Sequence, residues 1–336
     1  AAPRHCGARA GRRAAGVRAW ATMAVLGGLS AGASGTLHGQ SEANVEVLAG
    51  LLAATDSRRL DEPLFRRALA DPDSTVRREA ALDLGRLRDT RGIALLTPLL
   101  LDRDSLVQAT VIFSLGLIGD TTAVPLLMAR TRDPAPISVL AAPELLTALS
   151  RLGGTEAARF ITSVLASSFW QSRDDSLYLV QRAALEAWRL GPNAPISSLL
   201  GLVRAPKDDT RYSAVYSLAR LRVKAAGPQL VDAAGDRAPI VRAAAVRALT
   251  RAYADSARLD PAAIGELLVH GSNDADAGVR VQSLRSLSTY HEPAFARKIV
   301  PLLDDPVPAI QVQAASTLGD LGGTAAVPDL LQIAGG

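Results

Sequence analysis

The chain is poor in the residues that most often carry chemistry. Its 336 residues include one cysteine and four histidines. The cysteine is Cys6, so past residue 40 no disulfide, thiol nucleophile or thiolate metal ligand is available. His5 and His38 also fall in the first forty residues, which leaves His270 and His291. Aromatic residues make up 4% of the chain. No apolar run approaches the roughly 20 residues that a membrane-crossing helix needs, so no transmembrane segment is expected. No phosphate-binding glycine loop appears, and no G-x-G-x-x-G follows a strand. The only G-x-S-x-G, Gly28–Gly32, has no strand before it and is read as chance. Alternation of apolar and polar residues is scarce too, which argues against strands. These absences point to a chain with no catalytic residues, no cofactor and no metal site.

The first forty residues differ from the rest. Arg4, Arg9, Arg12, Arg13 and Arg18 precede a short apolar stretch, Ala19–Leu29, and then small residues around Ala31–Gly35. That order, basic then apolar then small, is the pattern of a secretory signal peptide over residues 1–40. The expectation is an exported protein, periplasmic or secreted. Translation from Met23 would remove all five arginines and leave the chain cytoplasmic. This segment also accounts for the positive charge. Five of the 37 basic residues and none of the 33 acidic ones lie in it, so the remainder carries 32 against 33. Nonspecific nucleic-acid affinity comes from neutralised phosphates, and none is expected of a chain so balanced.

What is abundant is repetition. Asp71 to Asp89 reads DPDSTVRREAALDLGRLRD, and Asp102 to Asp120 reads DRDSLVQATVIFSLGLIGD. Related phrases begin at Asp236, Asp274 and Asp305. The phrases align on an anchor at Leu84, Leu115, Leu149, Trp188, Leu218, Leu249, Leu287 and Leu318, with intervals of 31, 34, 39, 30, 31, 38 and 31 residues. Eight positions earlier stands Val76, Val107, Val180, Thr210, Val241, Val279 or Ile310. Four earlier stands a mostly small residue: Ala80, Val111, Ala184, Ala214, Ala245, Ser283 or Ala314. Spacings of four keep these residues on one face of a helix. The unit around Leu149 fits least well. Pro125, Pro228 and Pro328 each stand ten residues after an anchor and mark the first turn of a second helix. A period near thirty residues means stacked units, each stable only against its neighbours. The fold class is therefore all-α: an α-solenoid of about eight helix pairs over residues 41–336.

The initial Asp, the Val-Arg pair (Val76-Arg77, Val241-Arg242, Val279-Arg280), the alanine, the anchor leucine and the trailing Gly119-Asp120 resemble the short bacterial, phycobilisome-lyase-like HEAT repeat. The resemblance implies a right-handed, armadillo-like superhelix. It implies no activity, since a fold does not carry one. Deoxyhypusine hydroxylase is similar in fold and builds a di-iron site from several His-Glu pairs. This chain has one such pair, His291-Glu292, followed by Pro293, and no iron site is expected.

Arg77, Arg211, Arg242 and Arg280 recur after the apolar residue of the phrase. They read as structural positions, pairing with Asp of the same or the next repeat; elsewhere the position is Gln108, Gln181 or Gln311. Seven aromatics gather between residues 160 and 216, together with the insertion Ser167–Ser176. Two readings stand. Trp188 takes the anchor leucine's place in the core and the insertion packs over it, or Phe169, Trp170, Arg173 and Tyr178 form a surface for a partner. The last unit is regular and no cap follows it, so the solenoid is expected to continue past Gly336. The leading expectation is a noncatalytic scaffold that binds protein or peptide on a concave face lined by second helices. The alternative is the accessory part of a larger exported enzyme, a cyclophilin-type prolyl isomerase by resemblance, with its catalytic domain beyond Gly336.

Overall fold

The structure, a computed structural model, describes residues 42–132, 137–168, 171, 176–322, 327, 328 and 331. The chain divides into residues 1–40 and 41–336, and every described residue lies in the second part. Residues 1–40, where the signal peptide is expected, lie outside the described residues.

Among the described residues there are helices and no strands. Each repeated phrase forms one helix: Ser74–Leu87, Ser105–Ile118, Ala141–Leu152, Leu177–Glu186, Asp208–Leu221, Pro239–Ala248, Ala277–Leu287 and Pro308–Asp320. We call these the phrase helices. A second, often shorter helix follows each of the first seven; examples are Ala123–Arg132, Gly154–Ala166 and Gly227–Ala233. Another pair, Glu42–Asp56 and Glu62–Leu69, precedes them all. Two second helices end in a 3-10 turn, Thr97–Leu101 and Val300–Asp304, each with a proline at its start. Pro98 and Pro301 lack the N–H that would continue the α ladder, so the chain tightens there. The long interval between Leu249 and Leu287 holds an additional helix, Arg251–Ala257.

The aspartates at the phrase starts build the turns. Oδ1 of Asp71, Asp102, Asp236, Asp274 and Asp305 each accepts the backbone N–H two residues on, all at 2.8 Å. A second aspartate then caps the helix. Asp73 accepts from the Thr75 N–H at 2.8 Å, Asp104 from Leu106 at 2.8 Å, and Asp276 from Val279 at 3.0 Å. Such caps satisfy N–H groups that have no partner within the helix.

The stripe at −8, −4 and 0 forms the core. Val76, Ala80 and Leu84 are fully buried, as are Val107, Val111 and Leu115, and the anchors Leu149, Leu218, Leu249, Leu287 and Leu318 are buried with them. Two apolar clusters run along the stack, and Phe160 packs against both, so the core is continuous. Phrase helices pack directly on one another, more closely than the second helices pack on theirs. Small residues permit this. A Cβ on Gly85 would lie 2.9 Å from the Ser114 backbone, and one on Gly116 would lie 2.9 Å from that of Ala148. Further along, the Ser217 hydroxyl donates to the Ala184 carbonyl, and Thr317 donates to the Leu284 carbonyl at 3.2 Å.

One anchor departs from the pattern. Trp188 is not in the core. The helix Leu177–Glu186 runs into a 3-10 segment, Ala187–Asn193, which contains Gly191 at φ 54° and then Pro192. A 3-10 helix has three residues per turn. Ala184, Ala187 and Leu190 therefore share the buried face, and Trp188 is turned aside and half-buried. The reading that placed it under the insertion as a leucine substitute is corrected.

Candidate interaction cleft

The repeated arginines fall into two groups with opposite surroundings. The first is the series after the phrase-start turns. Arg77 donates from Nε and Nη2 to both oxygens of Asp102 in the next repeat, each at 2.8 Å, and from Nη1 to the carbonyls of Asp71 and Pro72. Arg211 does the same with Asp236 at 2.7 Å, and Arg242 with Asp274 at 2.8 and 2.7 Å. Arg280 pairs with Asp305 at 3.0 Å. Each guanidinium thus closes its own turn and grips the next one. Two-pronged pairs of this kind are the stronger ion pairs. Side chains of Arg77 and Asp102 are 6% and 9% exposed. Burial opposes the charge, but hydrogen bonds from Arg77 and the Asp104 N–H hold the Asp102 carboxyl below the usual carboxylate range. Asp236 and Asp274 are held down in the same way by Arg211 and Arg242. Where glutamine replaces arginine, only the home half of the contact remains: Gln108 and Gln311 each donate to the phrase-start carbonyl, at 2.6 and 2.7 Å. Gln181 instead donates to Thr210 in the next phrase, whose start carries Ala205 in place of an aspartate.

The second group lines a cleft of about 490 Å³ on the phrase-helix face, open to solvent, between Trp188 and Tyr253. Three successive phrase helices and the 3-10 segment supply its walls. On Asp208–Leu221 the residues at −6, −2 and +2 from the anchor are Tyr212, Tyr216 and Arg220, a second stripe beside the buried one. The next phrase helix adds Arg247 at −2 and contributes Ala243 and Ala244, whose small side chains leave the floor open. Arg220 lies over the Trp188 ring at 4.0 Å, and Arg189 lies 4.5 Å from the same ring. Tyr212 and Tyr216 are tilted neighbours, with centroids 5.9 Å apart. Burial raises the Tyr212 hydroxyl's pKa, Tyr216 adds to the rise, and Arg247 opposes it. Burial likewise pushes Tyr253 up to about 12, and its hydroxyl is spent on the Val223 carbonyl at 2.8 Å.

Upstream, the same face carries Arg151 over the Phe113 ring at 5.2 Å and Glu186 paired with Arg189 at 2.6 Å. Burial pulls Arg151 down, with Arg189 adding to the effect, and burial raises Glu144.

Of the residues proposed for partner binding, Phe169, Trp170 and Arg173 lie outside the described residues. Tyr178 is half-buried in the first turn of Leu177–Glu186 and does not line the cleft. Sequence reasoning passed over Arg220, Arg222 and Arg247. For Arg220 and Arg247 the signal was positional: aromatics and arginines at −6, −2 and +2, four residues apart and next to the core stripe; Arg222, at +4, lies outside that pattern. His291 directs Nδ1 at the Asp320 carbonyl, 2.9 Å away. Among the described residues no three His, Cys, Asp or Glu side chains gather to hold a metal, and no helix is long and apolar enough to cross a membrane.

Comparison with known families agrees with this architecture. HEAT repeats match residues 62–146, and the PBS lyase HEAT-like repeat matches residues 210–236 and 310–335. The chain is a HEAT-repeat protein. Among solved structures, this HEAT-repeat protein is similar to YibA of Escherichia coli, at 14% identity over 84% of this chain and 98% of that one, with a TM-score of 0.50. The complex of CpcE and CpcF of phycocyanin lyase from Nostoc sp. PCC7120 matches at 19% identity over 77% and 87%, with a TM-score of 0.36. Human deoxyhypusine hydroxylase in complex with glycerol matches at 20% identity over 74% and 98%, with a TM-score of 0.32. The likeness to YibA bears on the fold alone. No curated protein matches the chain in sequence.

Proposed function

We propose that this HEAT-repeat scaffold is a noncatalytic interaction module that binds protein or peptide on its phrase-helix face. The carrying observation is the cleft. The core stripe and the arginine–aspartate series join the repeats, and Trp188, Tyr212, Tyr216 and Arg220 belong to neither and meet at one open site. Aromatic and arginine side chains are the residues on which interface energy concentrates.

The working face differs from the one the sequence suggested. A stack bends toward the row whose members sit closer, and the phrase helices form that row. The concave side is then theirs, not that of the second helices. Hydrogen exchange on the full chain, with and without a bound peptide, tests this. Protection is expected across 208–222 and 243–250. Protection confined to second helices such as Gly154–Ala166 and Gly227–Ala233 would refute the assignment.

A further inference from the structure

We infer that the cleft is a receptor for an acidic segment of another protein, gripped through its carboxylates. The inference rests on the scaffold reading above and names the chemistry of the ligand.

Three observations carry it. First, the only charged side chains lining the cleft are cations, beside the neutral polar groups of Thr250 and Gln282. Arg220, Arg222 and Arg247 face it, with Tyr212 and Tyr216, and no Asp or Glu lines it. Second, those three arginines are exposed and have no carboxylate partner among the described residues, whereas Arg77, Arg211 and Arg242, between repeats, have every prong engaged. Third, Arg220 lies with its guanidinium carbon 4.0 Å from the centre of the Trp188 ring. A guanidinium resting on a ring keeps its N–H edge available, and that edge matches a carboxylate in geometry. The raised Tyr212 hydroxyl stays protonated and able to donate.

A nucleic acid would also bring negative charge, but the surroundings disfavour it. Several arginines that flank the cleft on this face are engaged. On one side Arg86 is tied to Asp83 at 3.0 Å and Arg189 to Glu186 at 2.6 Å; on the other Arg285 is engaged by Gln313 at 3.1 Å. A strand-binding groove instead tracks the backbone over several nucleotides and stacks bases on open rings. Here the Trp188 ring already has two guanidiniums within 4.5 Å.

The experiment is selection of random peptides displayed on phage, run in parallel on the immobilised full chain and on Arg220→Gln/Arg247→Gln. Enrichment of peptides rich in Asp and Glu on the parent chain is expected. A selected peptide should lose on the order of ten-fold or more in affinity on the double variant. Its affinity for the parent chain should also fall as salt rises from about 0.05 to about 0.5 M, a readout that needs no variant. Enrichment of neutral or basic peptides that still protect the cleft would overturn the acidic assignment and leave the scaffold reading standing. No enrichment of any peptide would overturn both. Tighter binding of single-stranded oligodeoxythymidylate than of any selected peptide would make the anion a nucleic acid and sink the proposal.

Discussion

Arg77 and Arg220 are the same residue type on the same kind of helix, two or more repeats apart, with opposite fates. Arg77 sits at a repeat boundary, buried, with its two prongs on Asp102 and its third nitrogen on two carbonyls. Arg220 sits on the exposed stripe, stacked on Trp188, with no carboxylate among the described residues. Arg77, Arg211 and Arg242 are saturated by the fold and have nothing left to offer a ligand. The cleft arginines keep their donors. What separates paired from unpaired charge here is position relative to the anchor: Arg77 at −7 meets the aspartate of the next repeat, while Arg220 at +2 and Arg247 at −2 meet solvent.

The largest effect expected from breaking that contrast is at Asp102. Asp102→Ala leaves Arg77 buried and unpaired, and should lower unfolding stability by about 3 kcal/mol in urea titrations. Peptide affinity at the cleft should not change. An equal loss in both readouts would mean that the two groups are not independent.

Next comes the close spacing of the phrase row, on which the assignment of the concave side depends. Gly85→Ala drives a methyl to within 2.9 Å of the Ser114 backbone and should cost about 2 kcal/mol by the same measurement.

Acid sharpens the comparison further. Asp102, Asp236 and Asp274 are held below the ordinary carboxylate range, so their stabilisation is present above about pH 4 and is lost as pH falls through the lowered values. Asp83 and Glu144, raised chiefly by burial, work in the opposite direction. Urea midpoints should hold from neutrality to about pH 5 and drop below about pH 4. Asp102→Asn should show a shallower drop, and a parallel one would contradict the role given to this pair.

Two smaller effects complete the series. Arg88 closes the helix Ser74–Leu87 in the left-handed region at φ 55°, a conformation that glycine adopts without strain. Arg88→Gly should raise the thermal midpoint, by up to about 1 kcal/mol of stability. Arg247→Gln, in the cleft, should change stability by less than about 0.5 kcal/mol. A much larger loss there would place Arg247 with the boundary arginines.

Much of the fold was legible because it is periodic. Val76, Ala80 and Leu84 repeat at helical spacing, and a face that returns every thirty residues or so can only be buried by stacking. The pairing of Arg77 with an aspartate was open to the same reasoning, since both residues recur in phase. Trp188 was not. Its register depends on the 3-10 segment before Gly191-Pro192, and a one-residue rotation separates a core tryptophan from a cleft tryptophan. Which row of helices packs closer was not legible either, because it depends on backbone approach, as at Gly85 and Gly116.

The sequence by itself determined the helices, their caps, the buried stripe and the stacking, because each depends on short-range spacing repeated many times. Only the tertiary structure decided which aspartate, of the same repeat or the next, each boundary arginine takes. That depends on where an aspartate 25 to 32 residues away arrives in space, as for Arg77, Arg211 and Arg242. The cleft had to wait for the structure as well. It draws on residues from four repeats, which come together only once the stack has formed.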